Sequence, residues 1–232
     1  SDVCSSDLWF FSDKSHKNNN KVMHVFPDQA DRPVIQRKGI YYLIGENGKP
    51  KTYKPWLGDL FSFMYDRIME RSVFPKKFKG LQEVHYQVLQ RELGNLHGQR
   101  IVEFGTGSGN ACEFLPTDNS YVGLDISRGL LRIANRRLRE AGFSSVNLYL
   151  SDACETPFSD RSFDVALCHL SMNFFPDISA FIREVKRLLV PGGVCYGSVP
   201  VPERKPPKAI IHGTLFSADE LKEMFTEIGR AH

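Results

Sequence analysis

From Arg100 onward, short runs of strand-forming residues alternate with amphipathic helical segments. Two helices between the strands begin after Ser127 and Asp177, whose side chains are good N-caps. The predicted strands cover residues 101–104, 121–124, 146–150, 163–168 and 194–199. Such alternation is typical of an α/β fold with a doubly wound, mainly parallel sheet and right-handed crossovers.

The residues before this alternation carry weaker patterns. Residues 39–44 form a strand candidate, and the Asn47-Gly48 turn after it predicts a small hairpin. Apolar residues at helical spacing predict helices at about 59–71 and 81–93. We therefore separate an N-terminal extension, 9–57, from the main domain.

The main domain is predicted to cover residues 58–226, with a helical lead-in at 58–95. Its last helix begins at Ser217, where Glu220 completes a capping box. We expect the domain to be incomplete at its C-terminal end, beyond this helix.

The two ends of the chain are related to each other at the level of coding. The codons GAG ATC GGA AGA GCA CAC encode residues 227–232, and their reverse complement, GTG TGC TCT TCC GAT CTC, encodes residues 3–8. This DNA resembles a common sequencing-adapter sequence. We interpret residues 1–8 and 227–232 as translated adapter and leave them out of the fold prediction.

Composition excludes several classes of protein. Hydrophobic residues make up 41% of the 232 positions, which is ample for a globular core. The net charge of +3 is too small to indicate a nucleic-acid partner, and no apolar run approaches the ~20 residues of a membrane span. The five cysteines are scattered without a C-x-x-C pair, so no metal site is predicted and reduced thiols in a cytoplasmic protein are expected.

The loop after the first strand of the alternation is rich in glycine. It reads Gly105-Thr106-Gly107-Ser108-Gly109, at the sheet edge where ligands of this fold bind. A dinucleotide fingerprint would place glycine at position 110, where this chain has Asn110. Glu103 precedes the loop; a carboxylate there would repel a pyrophosphate but suits an ammonium group. S-adenosylmethionine carries such a group and no phosphate.

Two further acidic residues follow the next two strands. Asp125 lies about twenty residues after the first glycine, where a carboxylate can accept hydrogen bonds from ribose hydroxyls. The same position also serves NAD, so Asp125 alone indicates an adenosine ligand without distinguishing the two. Asp152 can accept from an adenine amino group, and Ala153 leaves room for the flat ring.

Between about residues 100 and 199 the chain resembles class I S-adenosylmethionine-dependent methyltransferases, in particular the group of ubiquinone and menaquinone biosynthesis C-methyltransferases. The order and spacing of six segments carry the resemblance: 102–109, 122–127, 152–153, 157–158, 162–165 and 188–193. It implies a Rossmann-like fold and S-adenosylmethionine as methyl donor. Because the family's sheet normally ends with two strands after the last helix seen here, we expect the strand at 194–199 to keep an unpaired edge.

The resemblance also implies which residues hold the cofactor. The methionine part would lie against Glu103, Phe104, Gly105, Thr106, Gly107 and Gly109. Asp125 would bind the ribose, and Ile126, Asp152 and Ala153 the adenine. His169 should face the cofactor or the substrate, and Tyr65 in the lead-in is a lid candidate.

These features predict an enzyme that transfers a methyl group to a small-molecule acceptor by in-line displacement. If the acceptor must lose a proton, His169 is the first candidate base and His85 the second; no catalytic residue is assigned. Two alternatives stay open: a protein or RNA methyltransferase, and a non-catalytic S-adenosylmethionine-binding module. Arg132, Arg136, Arg137 and Arg139 are interpreted as the solvated face of a helix, and no nucleic-acid partner is expected.

Overall fold

Strands of four to twelve residues form the sheet of the computed structural model, which describes residues 8–12, 32–53, 64–73, 82–200, 214 and 216–229. The strands of these residues are β1 (Leu8–Ser12), β2 (Val34–Arg37), β3 (Ile40–Leu43), β4 (Arg100–Phe104), β5 (Ser120–Asp125), β6 (Ser145–Leu150), β7 (Phe163–His169) and β8 (Leu189–Pro200). They form one sheet in the order β1-β8-β7-β4-β5-β6-β3-β2. The strands from β8 to β3 run parallel, and β1 and β2 pair antiparallel at the two edges.

Helices cover both faces of this sheet. They are α1 (Tyr65–Ile68), which continues as a π-helical turn over Met69–Val73, α2 (Gln82–Leu93), α3 (Arg128–Glu140), α4 (Ile178–Leu188) and α5 (Ala218–Gly229). Apolar side chains of α2 and α3 form one buried cluster with one face of the sheet, and those of α4 and α5 form a second cluster with the other face. The predicted doubly wound, mainly parallel α/β fold is confirmed.

Local signals set the helix starts, as expected. Ser127 Oγ accepts from Leu130 N at 3.2 Å, and Asp177 Oδ1 accepts from Ala180 N at 2.8 Å. The capping box at Ser217 also forms, since its hydroxyl accepts from Glu220 N at 3.2 Å and its own N–H donates to Glu220 Oε2 at 2.7 Å. The predicted helix at 81–93 is α2, and the one at 59–71 is described from residue 64 onward, where it forms α1 and the π-helical turn.

Two expectations about the sheet edges are corrected. The hairpin pairs β3 with the preceding β2 through a turn at Lys38-Gly39, while Asn47-Gly48 closes only an isolated Ile44–Pro50 bridge. The edge of β8 is not unpaired, because β1 pairs with it from Leu8 to Ser12. Strand β8 also begins five residues earlier than predicted, with a register shift against β7 that accommodates the segment before Val194.

Among the described residues no helix combines the length and the apolar composition that crossing a membrane requires.

Candidate functional site

The glycine loop follows the carboxyl end of β4 and is hydrogen-bonded to the end of β5. Gly105 N and Thr106 N both donate to Leu124 O, at 2.8 and 2.9 Å. Phe104, the last residue of β4, faces the opposite side of the sheet from Glu103. Its ring packs edge-on against that of Phe181 in α4, with ring centroids 5.1 Å apart. Gly105 O accepts from Ser171 Oγ at 3.0 Å, which ties the loop to the end of β7.

Two glycines of this loop have different surroundings although both have positive φ. Gly109 has a φ of 82°, and a Cβ there would lie 2.8 Å from Ala134 Cα, so glycine is needed for the close approach of α3. Gly107 has a φ of 55°, and a Cβ there would meet only Gly105 O, at 4.0 Å. The loop is therefore packed tightly against α3 at Gly109 and leaves room for a ligand beside Gly107.

Glu103 lies buried beneath the loop, with 2% of its surface exposed. Its Oε2 accepts from Thr106 Oγ1 at 2.9 Å and from the hydroxyl of Tyr121 on β5. Burial raises the pKa of Glu103 to about 7, although both hydrogen bonds act in the opposite direction. The carboxyl group therefore titrates near neutral pH, and a cation that binds beside it would favour its ionised form.

Asp125 lies directly beside the glycine loop, at the end of β5. Its Oδ2 accepts from Gly107 N at 2.9 Å and its Oδ1 from Ser127 N at 2.7 Å. These two bonds hold the carboxylate at the carboxyl end of β5, next to the main chain of the glycine loop. Ile126 follows with 41% of its surface exposed, which offers an apolar contact next to this carboxylate.

Asp152 and Ala153 lie just beyond the end of β6, at the same edge of the sheet. Asp152 Oδ1 accepts from Cys154 N at 2.8 Å, and Asp152 N donates to the hydroxyl of Tyr53 at 3.0 Å. Ala153 is buried. The three predicted carboxylates therefore lie at the carboxyl ends of three neighbouring parallel strands, and the glycine loop follows the first of these strands.

His169 ends β7 and lies at a cavity of about 260 Å³ between α2 and the sheet. Its Nδ1 is 2.7 Å from Ser198 Oγ, and its ring stacks on that of buried His85, with centroids 4.7 Å apart. Close packing and the neighbouring imidazole hold the pKa of His169 well below its usual range, and burial lowers the pKa of His85 to about 4. Both imidazoles are therefore neutral at physiological pH, and the ring of His85 supports that of His169 by stacking on it.

The lead-in helix contacts the glycine loop through Asp66, next to the predicted lid residue. Asp66 Oδ1 accepts from Ser108 Oγ at 2.6 Å, and its Oδ2 is 3.2 Å from Arg137 of α3. Tyr65 begins α1, but its side chain lies outside the described part of the structure. Arg137 is thus an ion-pair partner and does not belong to a freely solvated face.

Two residues of this region are not identified by sequence reasoning: Tyr121 and Tyr53. Tyr121 pairs with Ile101 in the register of β4 and β5, so strand alternation places it on the same face as Glu103. Once the register of β4 and β5 is known, strand alternation therefore identifies Tyr121 as a neighbour of Glu103. No local pattern connects Tyr53 with Asp152, which is 99 residues away.

Comparison with known proteins assigns this region to a family. Residues 102–197 match the family described as "Methyltransferase domain". This segment belongs to that family. The match contains Glu103, the glycine loop, Asp125, Asp152 and His169, and it confirms the resemblance found in the motifs.

The relatives of this methyltransferase domain differ in their named acceptors. The chain is 32% identical over 136 residues to an arsenite methyltransferase of Aquipseudomonas alcaligenes, covering 51% of this chain and 39% of that protein. It is 29% identical over 126 residues to a demethylmenaquinone methyltransferase of Corynebacterium kroppenstedtii, covering 53% and 52%. The chain thus spans about half or less of the length of these relatives.

A solved structure confirms the fold independently. The YcgJ protein of Bacillus subtilis superimposes with a TM-score of 0.55 at 20% identity, covering 63% of this chain and 68% of that one. At this identity the likeness concerns the fold alone. It supports the Rossmann-like assignment of the sheet and its helices.

Proposed function

We propose that this protein transfers the methyl group of S-adenosylmethionine to a small-molecule acceptor by in-line displacement. The observation that carries the proposal is the set of three acidic side chains, Glu103, Asp125 and Asp152, at the carboxyl ends of adjacent parallel strands beside the glycine loop. Their order across β4, β5 and β6 matches the order of the ammonium group, the ribose and the adenine in S-adenosylmethionine. The pKa of Glu103 near 7 also suits a cationic ligand better than a pyrophosphate.

Each part of the site has a distinct role in this proposal. Glu103 accepts from the ammonium group, Asp125 from the ribose hydroxyls and Asp152 from the adenine amino group, while Ile126 and Ala153 contact the ring. The donor would supply a methyl group bonded to a sulfonium sulfur, and the neutral thioether left behind, S-adenosylhomocysteine, is a good leaving group. The protein's contribution is therefore alignment of the two reactants and exclusion of water.

The acceptor is proposed to enter the cavity beside His169. This cavity of about 260 Å³ has apolar walls that include Leu89, Leu93 and Phe114, and Ser198 and Glu103 supply polar groups. A concave space of this size suits a small molecule, or the head of a larger one, better than a peptide or RNA segment. Product analysis after incubation with labelled S-adenosylmethionine and fractionated metabolites, peptides and RNA tests this choice.

Binding of S-adenosylhomocysteine tests the cofactor assignment. We expect the protein to bind this ligand and not NAD in calorimetric titrations, and Asp125→Ala to weaken the binding by about 100-fold, because two charge-assisted hydrogen bonds are lost. Asp118→Ala, at an exposed aspartate that contacts His97, is the control and should leave binding unchanged. Preference for NAD would overturn the proposal.

The role of His169 depends on whether the acceptor loses a proton. If it does, we expect His169→Asn to lower kcat by about 10²–10⁴, the usual contribution of a general base. Because its pKa lies well below the ordinary value, the wild type should show no acid limb near pH 6.5. Asparagine can keep the contact with Ser198, so a turnover unchanged across pH would exclude His169 as the base.

A further inference from the structure

The N-terminal hairpin is an integral part of the sheet. Strand β3 pairs parallel with β6, with Ile40 opposite Leu148 and Tyr42 opposite Leu150. Ile40 and Leu43 are buried in the core. The chain that leaves β3 therefore emerges at the same edge of the sheet as the carboxyl end of β6.

The segment after β3 holds the loop at residues 151–155. Lys51 N donates to Leu43 O at 2.7 Å, which directs the chain back along β3. The hydroxyl of Tyr53 accepts from Asp152 N at 3.0 Å. Further along the loop, Glu155 pairs with Lys51 at 3.4 Å and with Arg32.

The two acidic residues of this loop, Asp152 and Glu155, have different partners. Arg32 and Lys51 engage Glu155 and hold the pKa of that carboxyl group below its usual value. Asp152 forms no ion pair with any residue in the described part of the chain. Its carboxylate is positioned by Cys154 N and its backbone by Tyr53, so it is the carboxylate of this loop that can accept from a ligand.

We propose that Tyr53 is a positioning residue for adenine recognition, which it supports by holding the backbone of Asp152. This inference rests on the proposed function, in which Asp152 accepts from the adenine amino group. Tyr53 lies outside residues 102–197, so the extension completes a binding site whose other parts belong to the methyltransferase domain. Burial raises the pKa of Tyr53, so the group remains a neutral hydroxyl at physiological pH.

Tyr53→Phe removes the hydroxyl and keeps the ring, and Tyr41→Phe, on β3 of the same N-terminal extension, is the matched control. The ring of Tyr41 stacks on that of Tyr149 with centroids 4.7 Å apart, a contact that phenylalanine preserves. Calorimetry measures Kd for two probes, S-adenosylhomocysteine and S-inosylhomocysteine. The second probe carries an oxo group in place of the adenine amino group, so it lacks the exocyclic N–H that Asp152 is proposed to accept; its remaining donor on this edge, N1–H, lies at a different position.

We expect Tyr53→Phe to weaken S-adenosylhomocysteine by about fivefold, the effect of one hydrogen bond, and S-inosylhomocysteine by less than twofold. Tyr41→Phe should change neither Kd. An equal loss for both probes, or no loss for either, would overturn the role of Tyr53. If the wild type fails to bind S-adenosylhomocysteine at all, it is the proposed function that fails.

Discussion

Glu103→Gln is expected to make the ligand-free protein more stable at neutral and alkaline pH. In the folded protein the pKa of Glu103 is about 7, against 4.5 for an unperturbed glutamate, and burial is the main cause. Between these values the unfolded chain loses its proton before the folded protein does, so stability falls as pH rises from 4.5 to 7. Glutamine does not ionise and escapes this loss.

The size of the effect follows from the shift in pKa. Between pH 5 and pH 8, ionisation of Glu103 should lower the free energy of unfolding of the wild type by about 2–3 kcal/mol. Glu103→Gln should not show this decrease. Urea unfolding of both proteins at the two pH values measures this double difference. His85 has its pKa lowered to about 4, so it adds stability as pH rises from about 4 to 6.5. That opposing contribution is common to both proteins and cancels.

The same substitution should impair ligand binding at pH 8. The ammonium group of S-adenosylhomocysteine would lose its buried anionic partner, and a tenfold or greater increase in Kd is expected. Glu140→Gln, an exposed position at the end of α3, is the control for both measurements. If Glu103→Gln and the wild type respond alike to pH, Glu103 is not the group that titrates near neutrality.

Secondary structure after Arg100 was predictable because its determinants are local. Ser127 and Asp177 cap α3 and α4 through bonds to residues three positions away, and strand alternation requires no partner to be known. The positions of Glu103, Asp125 and Asp152 also follow from topology alone. Parallel strands end at one edge of a sheet, so residues that follow successive strands are brought together there.

Contacts between distant segments could not be predicted in the same way. The pairing of β3 with β6, and the contact of Tyr53 with Asp152, depend on which edge the hairpin joins, and no local pattern specifies that edge. A matching motif also does not distinguish ligand-binding from structural roles. Asp164 belongs to the motif at 162–165, yet it forms an ion pair with Arg100 at 2.8 Å that ties the beginnings of β4 and β7 together.

Three glycine-to-alanine substitutions are expected to separate backbone strain, packing and ligand contact. Gly142, Gly107 and Gly109 all have positive φ, where alanine costs about 1 kcal/mol. A Cβ at Gly142 would meet nothing within 4 Å, so Gly142→Ala measures this strain alone. Gly109→Ala would also press on the backbone of α3 at Ala134, and overpacking adds about 1–3 kcal/mol, so we expect a total loss of about 3 kcal/mol in urea unfolding.

Gly107→Ala should resemble Gly142→Ala in stability and differ from it in binding. The space beside Gly107 is open in the protein, so the added methyl group costs only the strain of its φ of 55°. If the donor lies against this loop, the methyl group takes its space, and we expect Kd for S-adenosylhomocysteine to rise at least tenfold. Gly142→Ala should bind as the wild type does. Unchanged binding by Gly107→Ala would place the ligand away from the loop, because a methyl group at this position cannot share its volume with a ligand in contact with the main chain.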